Sequence, residues 1–448
     1  ADKWMEKRVA DPEFVARLED AALQRNRPLM ATMLAVSLAL IWRCRPLGTL
    51  RGYVPATRLY LPFLAVLLGA FLLTSRPMLD FGLNWVSFGN TDMANNVGEA
   101  QRYVNHGAFE APDLDVVESG TDYVQMYFSF AFAGLRLGIA PTLAWVVSVT
   151  GLIGLEVYMP VTAAAHLALV STCAGMICHG PRRRLAALLL AILLACSALT
   201  TLGAVYQLAP QVAGLAILGA AVTLVIRPWI WARPSVMVRH ALLTGLVGAA
   251  QLMVYPEVLP FLGLGLLFVT AASIRLRRPV LAPRSAVVGL GGAGILSLVA
   301  VNSYLFDVIV YIFNQVDHAA AVSNRGPDYE LFPYYRIPSG VANLWGLQMI
   351  AELPREPLLS ITVFGGAVLL AVTIAVSVLL TWRAQPVAAV CVAMLVAGVQ
   401  LVVQQSGFGL FKLAMFLQPF MLGTLIVAWL YRTRRTALPG TRRIRFPF

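Results

Sequence analysis

Two carboxylates seven residues apart, Asp92 and Glu99, sit in the most polar interval of an otherwise apolar chain. That interval, 81–122, together with Asp80 just before it, holds Asp92, Glu99, Glu110, Asp113, Asp115, Glu118 and Asp122 against Arg102 inside it and Arg76 upstream. Within it, Gly89-Asn90-Thr91-Asp92 leads into a run that ends Tyr103-Val104-Asn105-His106-Gly107. Asn90 or Thr91 can cap a helix start, and Gly107 can end it. Met93, Val97, Ala100 and Val104 then share one side at helical spacing, while Asp92, Asn96, Glu99, Tyr103 and His106 share the other. The pattern predicts a short helix on a membrane surface, apolar face down and carboxylates up. Asp92 also fits the plainer role of capping its own helix, and Glu99 and His106 that of a solvated face.

Other polar groups stand at the edges of apolar runs. Glu257, in the turn Tyr255-Pro256-Glu257, is a carboxylate at a span end and asks for a partner. A second long polar interval, 314–356, contains Asn314-Gln315-Val316-Asp317-His318 and later Tyr334-Tyr335-Arg336. Its tyrosines suit the membrane interface, and Arg336 suits either a salt bridge within the loop or a bound phosphate. Lys412 follows Gly409-Leu410-Phe411 at the start of the last apolar run. Such a lysine either snorkels to lipid phosphate or holds an anionic ligand. Asp307, inside an apolar run, must face protein or water.

These groups need elements to position them, and the composition says which. Of 448 residues, 59% are hydrophobic and only 12% charged, with a mean hydropathy of +0.74. A soluble domain carries about 25% charged residues, so the chain reads as an all-α integral membrane protein, its spans helical because lipid leaves no backbone group unpaired. The net charge of +12 does not point to nucleic acid, because the arginines fall in short clusters between apolar runs, as cytoplasmic loops require. Placing every such cluster on one face gives about twelve transmembrane helices, with room for a thirteenth at 29–42. The expected crossings are 60–74, an odd number among 123–138, 142–155 and 161–178, then 185–206, 212–226, 242–254, 259–272, 286–313, 358–382, 387–403 and 410–430. The whole chain, 1–448, reads as one transmembrane domain with a first outer loop at 76–122 and a second, lid-like outer loop at 314–356. Residues 1–28 balance acids and bases, show no cleavable signal, and read as cytoplasmic or interfacial. Cys44, Cys173, Cys178, Cys196 and Cys391 lie in or beside apolar runs, without disulfide or zinc spacing.

This topology gathers Asp92, Glu99, Glu257, the second loop and Lys412 on one face. In that arrangement the chain resembles the GT-C superfamily of membrane glycosyltransferases, on Gly89-Asn90-Thr91-Asp92 with its helix through His106-Gly107 and on the late Gly409-Leu410-Phe411-Lys412-Leu413. The resemblance implies transfer of a sugar from a polyprenyl-phosphate donor to a glycan, lipid or protein acceptor, in a bacterial inner membrane with the site facing the periplasm. Asp92 would be the general base on the acceptor hydroxyl, and attack opposite the leaving phosphate would invert the anomeric centre. Lys412 and Arg336 would bind the donor phosphate. Glu99, His106, Glu257, Tyr334 and Tyr335 would line the substrate. Many members carry an Asp-Asp or Asp-Glu pair in the first loop. Here Asp92 is followed by Met93, so only the first acid carries over, and neither a cofactor nor a divalent metal is indicated.

Two other readings stay open. An O-antigen ligase or polymerase-like enzyme would also use a late outer loop with Arg and His, met here by Arg336 and His318. A lipid-linked glycan flippase or other transporter would place charges midway through spans. Only Arg136, Glu156 and Asp307 answer that description.

Overall fold

The computed structural model describes residues 35, 54–87, 91–105, 137–178, 183–225, 234–276, 283–302, 304–323, 339–348, 355–404 and 406–436. Among these the first helices are α1 (Val54–Phe81), α2 (Thr91–Asn105), α3 (Ala140–Thr150), α4 (Gly154–Ile177), α5 (Arg184–Ala195), α6 (Ala198–Val205) and α7 (Ala209–Val225). They are followed by α8 (Pro234–Val254), a 3₁₀ turn (Pro256–Val258), α9 (Leu259–Arg275), α10 (Pro283–Val301) and α11 (Tyr304–Ser323). The last four are α12 (Ser339–Asn343), α13 (Leu358–Thr381), α14 (Pro386–Val403) and α15 (Gly407–Thr436).

Among the described residues, seven helices are long and apolar enough to cross a membrane, or nine if the bent pairs α5–α6 and α10–α11 each count as one span. Their side chains are distributed for a bilayer. On α1, Leu61, Leu64, Leu68 and Leu72 are all at least half exposed, while Ala70, Thr74 and Ser75 are fully buried. On α13, Ile361, Phe364, Val368 and Val372 face outward, while Thr373 and Ser377 are sealed inside. Such continuous exposed apolar surface marks a membrane-facing wall. The protein is an integral membrane protein. Inside the bundle, small residues bring helices close: a Cβ on Gly219 of α7 would lie 2.8 Å from the Thr172 hydroxyl of α4.

The bundle has two chemically distinct ends. At one, His240 near the start of α8 donates a ring N–H to the Leu224 carbonyl at 2.8 Å. There too the Arg275 guanidinium at the end of α9 lies 4.1 Å over the Trp382 ring, just past α13. Ile177, Arg183, Leu380 and Gln385 meet at that end, which we call the arginine end. At the other, Gln207 between α6 and α7 joins the segment after α1 to the start of α4. The Ser87 N–H donates to Gln207 Oε1 at 2.8 Å, Gln207 Nε2 donates to the Trp85 carbonyl at 3.0 Å, and Tyr158 Oη donates to the Gln207 carbonyl at 3.0 Å. This is the acidic end, where the Tyr255-Pro256-Glu257 turn and the start of α15 also lie. Tyr255 packs edge-on to Phe416 at 5.6 Å, and Gln211 in the first turn of α7 reaches Met415 at 3.6 Å.

Several predicted elements take other forms. The run 185–206 is two helices bent by 55°. Ser197 at the break caps α6 by accepting from the Thr200 N–H at 3.4 Å, and such local bonds compete with helix continuation. The run 286–313 is broken more sharply, by 98°, where Asn302 takes a left-handed φ of 57° that asparagine tolerates better than most residues. α11 therefore lies across the acidic end instead of completing a straight crossing. The run 142–155 is the 11-residue α3, closed by Gly151 at φ 74°. The residues just outside its two ends, Gly138 and Gly154, both pack on α2, at Asn96 and Val97, so α3 returns to the end it left. α4 begins at Gly154, before the predicted 161, and carries Pro160 inside it. α1 continues through Phe81, so the described part of the first loop starts at Gly82. The predicted runs 29–42 (Ala35 apart) and 123–136 lie outside the described residues.

Within the second loop, the described residues 339–348, with the short α12, pack down beside α13. Its Val341 carbonyl would be 2.8 Å from a Cβ on Gly366, eight residues into α13, or about 12 Å down that helix. Gln418, eleven residues into α15, donates to the Leu344 carbonyl at 3.3 Å. Residues 339–348 thus pack against α13 and α15 inside the bundle, with Ala342, Asn343 and Leu344 buried. Non-helical backbone at such depth is tolerated where protein surrounds it.

Candidate functional site

The site builds up from α2. Its Met93, Ala100 and Val104 are buried as the spacing predicts, but against Ile139, Leu143, Val147, Val157 and Tyr158 of α3, α4 and the turn before α3. The apolar face therefore rests on protein, not on lipid. α3, from the run expected to cross at 142–155, is a cushion that gives the helix something firmer than headgroups to sit on.

On the opposite face Asp92 is exposed in the first turn, where a negative charge suits the positive end of the helix dipole. Asn96 Nδ2 donates to the Asp92 carbonyl at 2.6 Å. One turn on, Glu99 is only partly exposed and accepts a short hydrogen bond from Tyr103 Oη. Burial pushes the Glu99 carboxyl up from 4.5 to about 7, and the Tyr103 bond opposes that rise. The Tyr103 phenol is raised above its ordinary value by burial first, then by the Glu99 charge and hydrogen bond and by nearby Tyr304; buried Arg102 works the other way. A carboxyl poised near neutrality exchanges a proton easily at physiological pH.

Tyr304, at the start of α11, comes near Tyr103 from a distant part of the chain. Leu137 donates its backbone N–H to Tyr304 Oη at 2.6 Å. One face further along α11, Tyr311 Oη donates to Glu257 Oε1 at 2.5 Å. The partner that a carboxylate at a span end requires is therefore a tyrosine. Glu156 also has a local role: its Oε2 accepts from the Ile153 N–H at the start of α4.

Lys412 lies in the second turn of α15, at the same end of the bundle as α2, and is partly exposed. Its neighbours Leu410 and Leu413 form part of the wall of an apolar groove of about 420 Å³ between α12, α13, α14 and α15. Val396, Val399 and Val403 on that wall are well exposed, so the groove opens away from the bundle toward lipid. Among the described residues no three His, Cys, Asp or Glu side chains converge on a metal-sized site.

No protein family matches the chain, nor does any characterised protein or any solved structure. The site is read from its own chemistry.

Of the residues singled out in the sequence, Asp92, Glu99, Glu257 and Lys412 lie at one end. Asp92 and Glu99 share one helix face, and α11 reaches both the Glu99–Tyr103 pair and Glu257. His106, Tyr334, Tyr335 and Arg336 lie outside the described residues, as does the side chain of His318. Sequence reasoning missed Tyr304 and Tyr311. Their spacing of seven, with Asp307 between them, was the available signal, since it puts all three on one side of a helix. It also gave Gln207 no special role, and nothing local announces one.

Proposed function

We propose that this protein is a membrane glycosyltransferase of GT-C type that moves a sugar from a polyprenyl-phosphate donor to an acceptor hydroxyl at its acidic end. The observation that carries the reading is the placement of the α2 carboxylates and Lys412 at one end of the bundle, with an apolar groove starting beside Lys412. A donor with a charged phosphate and a greasy tail needs those two features together. On this reading the scaffold has about twelve or thirteen spans, and the acidic end faces the periplasm of a bacterial inner membrane.

Asp92 takes the proton from the acceptor hydroxyl as that oxygen attacks the anomeric carbon, because an alcohol is a poor nucleophile until the proton is shared with a base. The lipid phosphate leaves from the opposite face, with inversion, and Lys412 and Arg336 offset its charge without a metal. Glu99, His106, Glu257, Tyr334 and Tyr335 orient the sugars. Replacing Asp92 by Asn keeps shape and removes basicity. The expected outcome is loss of glycan product, by about 10²-fold or more, with expression and binding of polyprenyl phosphate retained. Full activity in the variant would contradict the assignment.

The transporter reading draws support from a specific feature, the two bent helix pairs, since broken helices line many transport paths. Movement of a lipid-linked sugar across proteoliposomes, with no new glycosidic bond and no effect of Asp92→Asn, would favour it.

A further inference from the structure

The arginine end carries a pocket that the transfer chemistry does not use. It holds about 320 Å³ between α9, α13 and α14, and adjoins the longer groove at Val378 and Val392. Phe268, Ala272, Val378 and Val392 make its walls apolar, and its polar groups, Arg275, Thr381 and Trp382, gather toward one end. The Arg275 guanidinium lies 4.1 Å over the Trp382 ring, and among the described residues no carboxylate pairs with it.

We propose that this pocket binds an anionic phospholipid, its phosphate on Arg275 and one acyl chain against Phe268, Val378 and Val392. The occupant follows from charge and location. The pocket opens beside exposed Val378 and Trp382, on a wall that faces hydrocarbon, so a chain already in the bilayer enters without crossing water. A tryptophan prefers the headgroup level, and stacking on its ring fixes the guanidinium fork toward a phosphate. A free phosphate would satisfy Arg275 but leave the apolar walls uncovered.

The test uses the full chain, purified and exchanged into phosphatidylcholine with or without phosphatidylglycerol, reading retained lipid by native mass spectrometry and the thermal midpoint in parallel. Wild type retains phosphatidylglycerol over phosphatidylcholine and gains midpoint from it. Arg275→Gln lowers that preference by about fivefold, the weight of one interfacial arginine, and Arg275→Lys keeps part of it. Should Arg275→Gln fail to fold, Val378→Trp, which fills the pocket and leaves the charge, is expected to lose the retained lipid. Equal retention of both lipids by wild type would overturn the proposal. So would an unchanged preference in Arg275→Gln or Val378→Trp, or a midpoint gain from inorganic phosphate matching that from phosphatidylglycerol.

Discussion

Glu99 and Tyr103 are one helical turn apart, a pairing any helix allows, yet their protonation is set by what lies above and below. With its carboxyl raised by burial to about 7 from 4.5, Glu99 favours the folded state when protonated. That contribution is fully present below pH 4.5 and is lost as pH rises to about 7. Wild type is therefore expected to lose protection of the α2 amides in hydrogen exchange across that window. Glu99→Gln, always neutral, is expected to flatten the dependence; an unchanged profile would mean that another group sets it. The α2 faces were legible from spacing alone, since period 3.6 sorts Met93, Ala100 and Val104 from Asp92 and Glu99. Tyr304 was not legible as a neighbour, because it meets Leu137 across 167 residues of sequence, and no local rule reports such a contact.

Elements are held in place here by a few side chains that bond backbone from afar. Gln207 ties three segments together while buried and in a left-handed conformation, φ 61°, which itself costs about 1–2 kcal/mol. Gln207→Ala removes both side-chain bonds and leaves the Trp85 carbonyl and Ser87 N–H without them. We expect a loss of roughly 2 kcal/mol, read as a lower thermal midpoint in lipid nanodiscs, without loss of helix content. Similarly, Asn302→Val forces a β-branched residue into φ 57° and is expected to destabilise by about 1–2 kcal/mol and loosen α11, read as faster exchange in 304–313. Long apolar runs announced the helices but not their breaks. Hydropathy averages over a bend, and the signals that mattered, Ser197 and Asn302, are small polar residues within long, mostly apolar runs.

At the scale of the molecule, contacts among the described residues distinguish two ends of the bundle. Arg183 with Leu380 and Gln385, and Arg275 on Trp382, mark one; Ser87, Gln207 and Tyr158 meet at the other. Sidedness was legible because arginines in the loops recur with each return of the chain. The depth of α12 was not, since five residues carry no periodicity to read. Tight packing holds the ends in register: Gly219→Leu would drive α4 and α7 apart at Thr172 and Cys173, and poor insertion or aggregation is the expected result, read as lost monodispersity on size exclusion.

The transfer reading requires a carrier whose phosphate sits near Lys412 while its tail leaves through the wall between α13 and α15. A density map of the protein with bound polyprenyl monophosphate tests this directly. The account predicts phosphate density within hydrogen-bond reach of Lys412, isoprenoid density along Val399, Leu413 and Leu417, and the α2 carboxylates facing the phosphate. No phosphate density at Lys412, or an isoprenoid chain seated away from that groove, would contradict it.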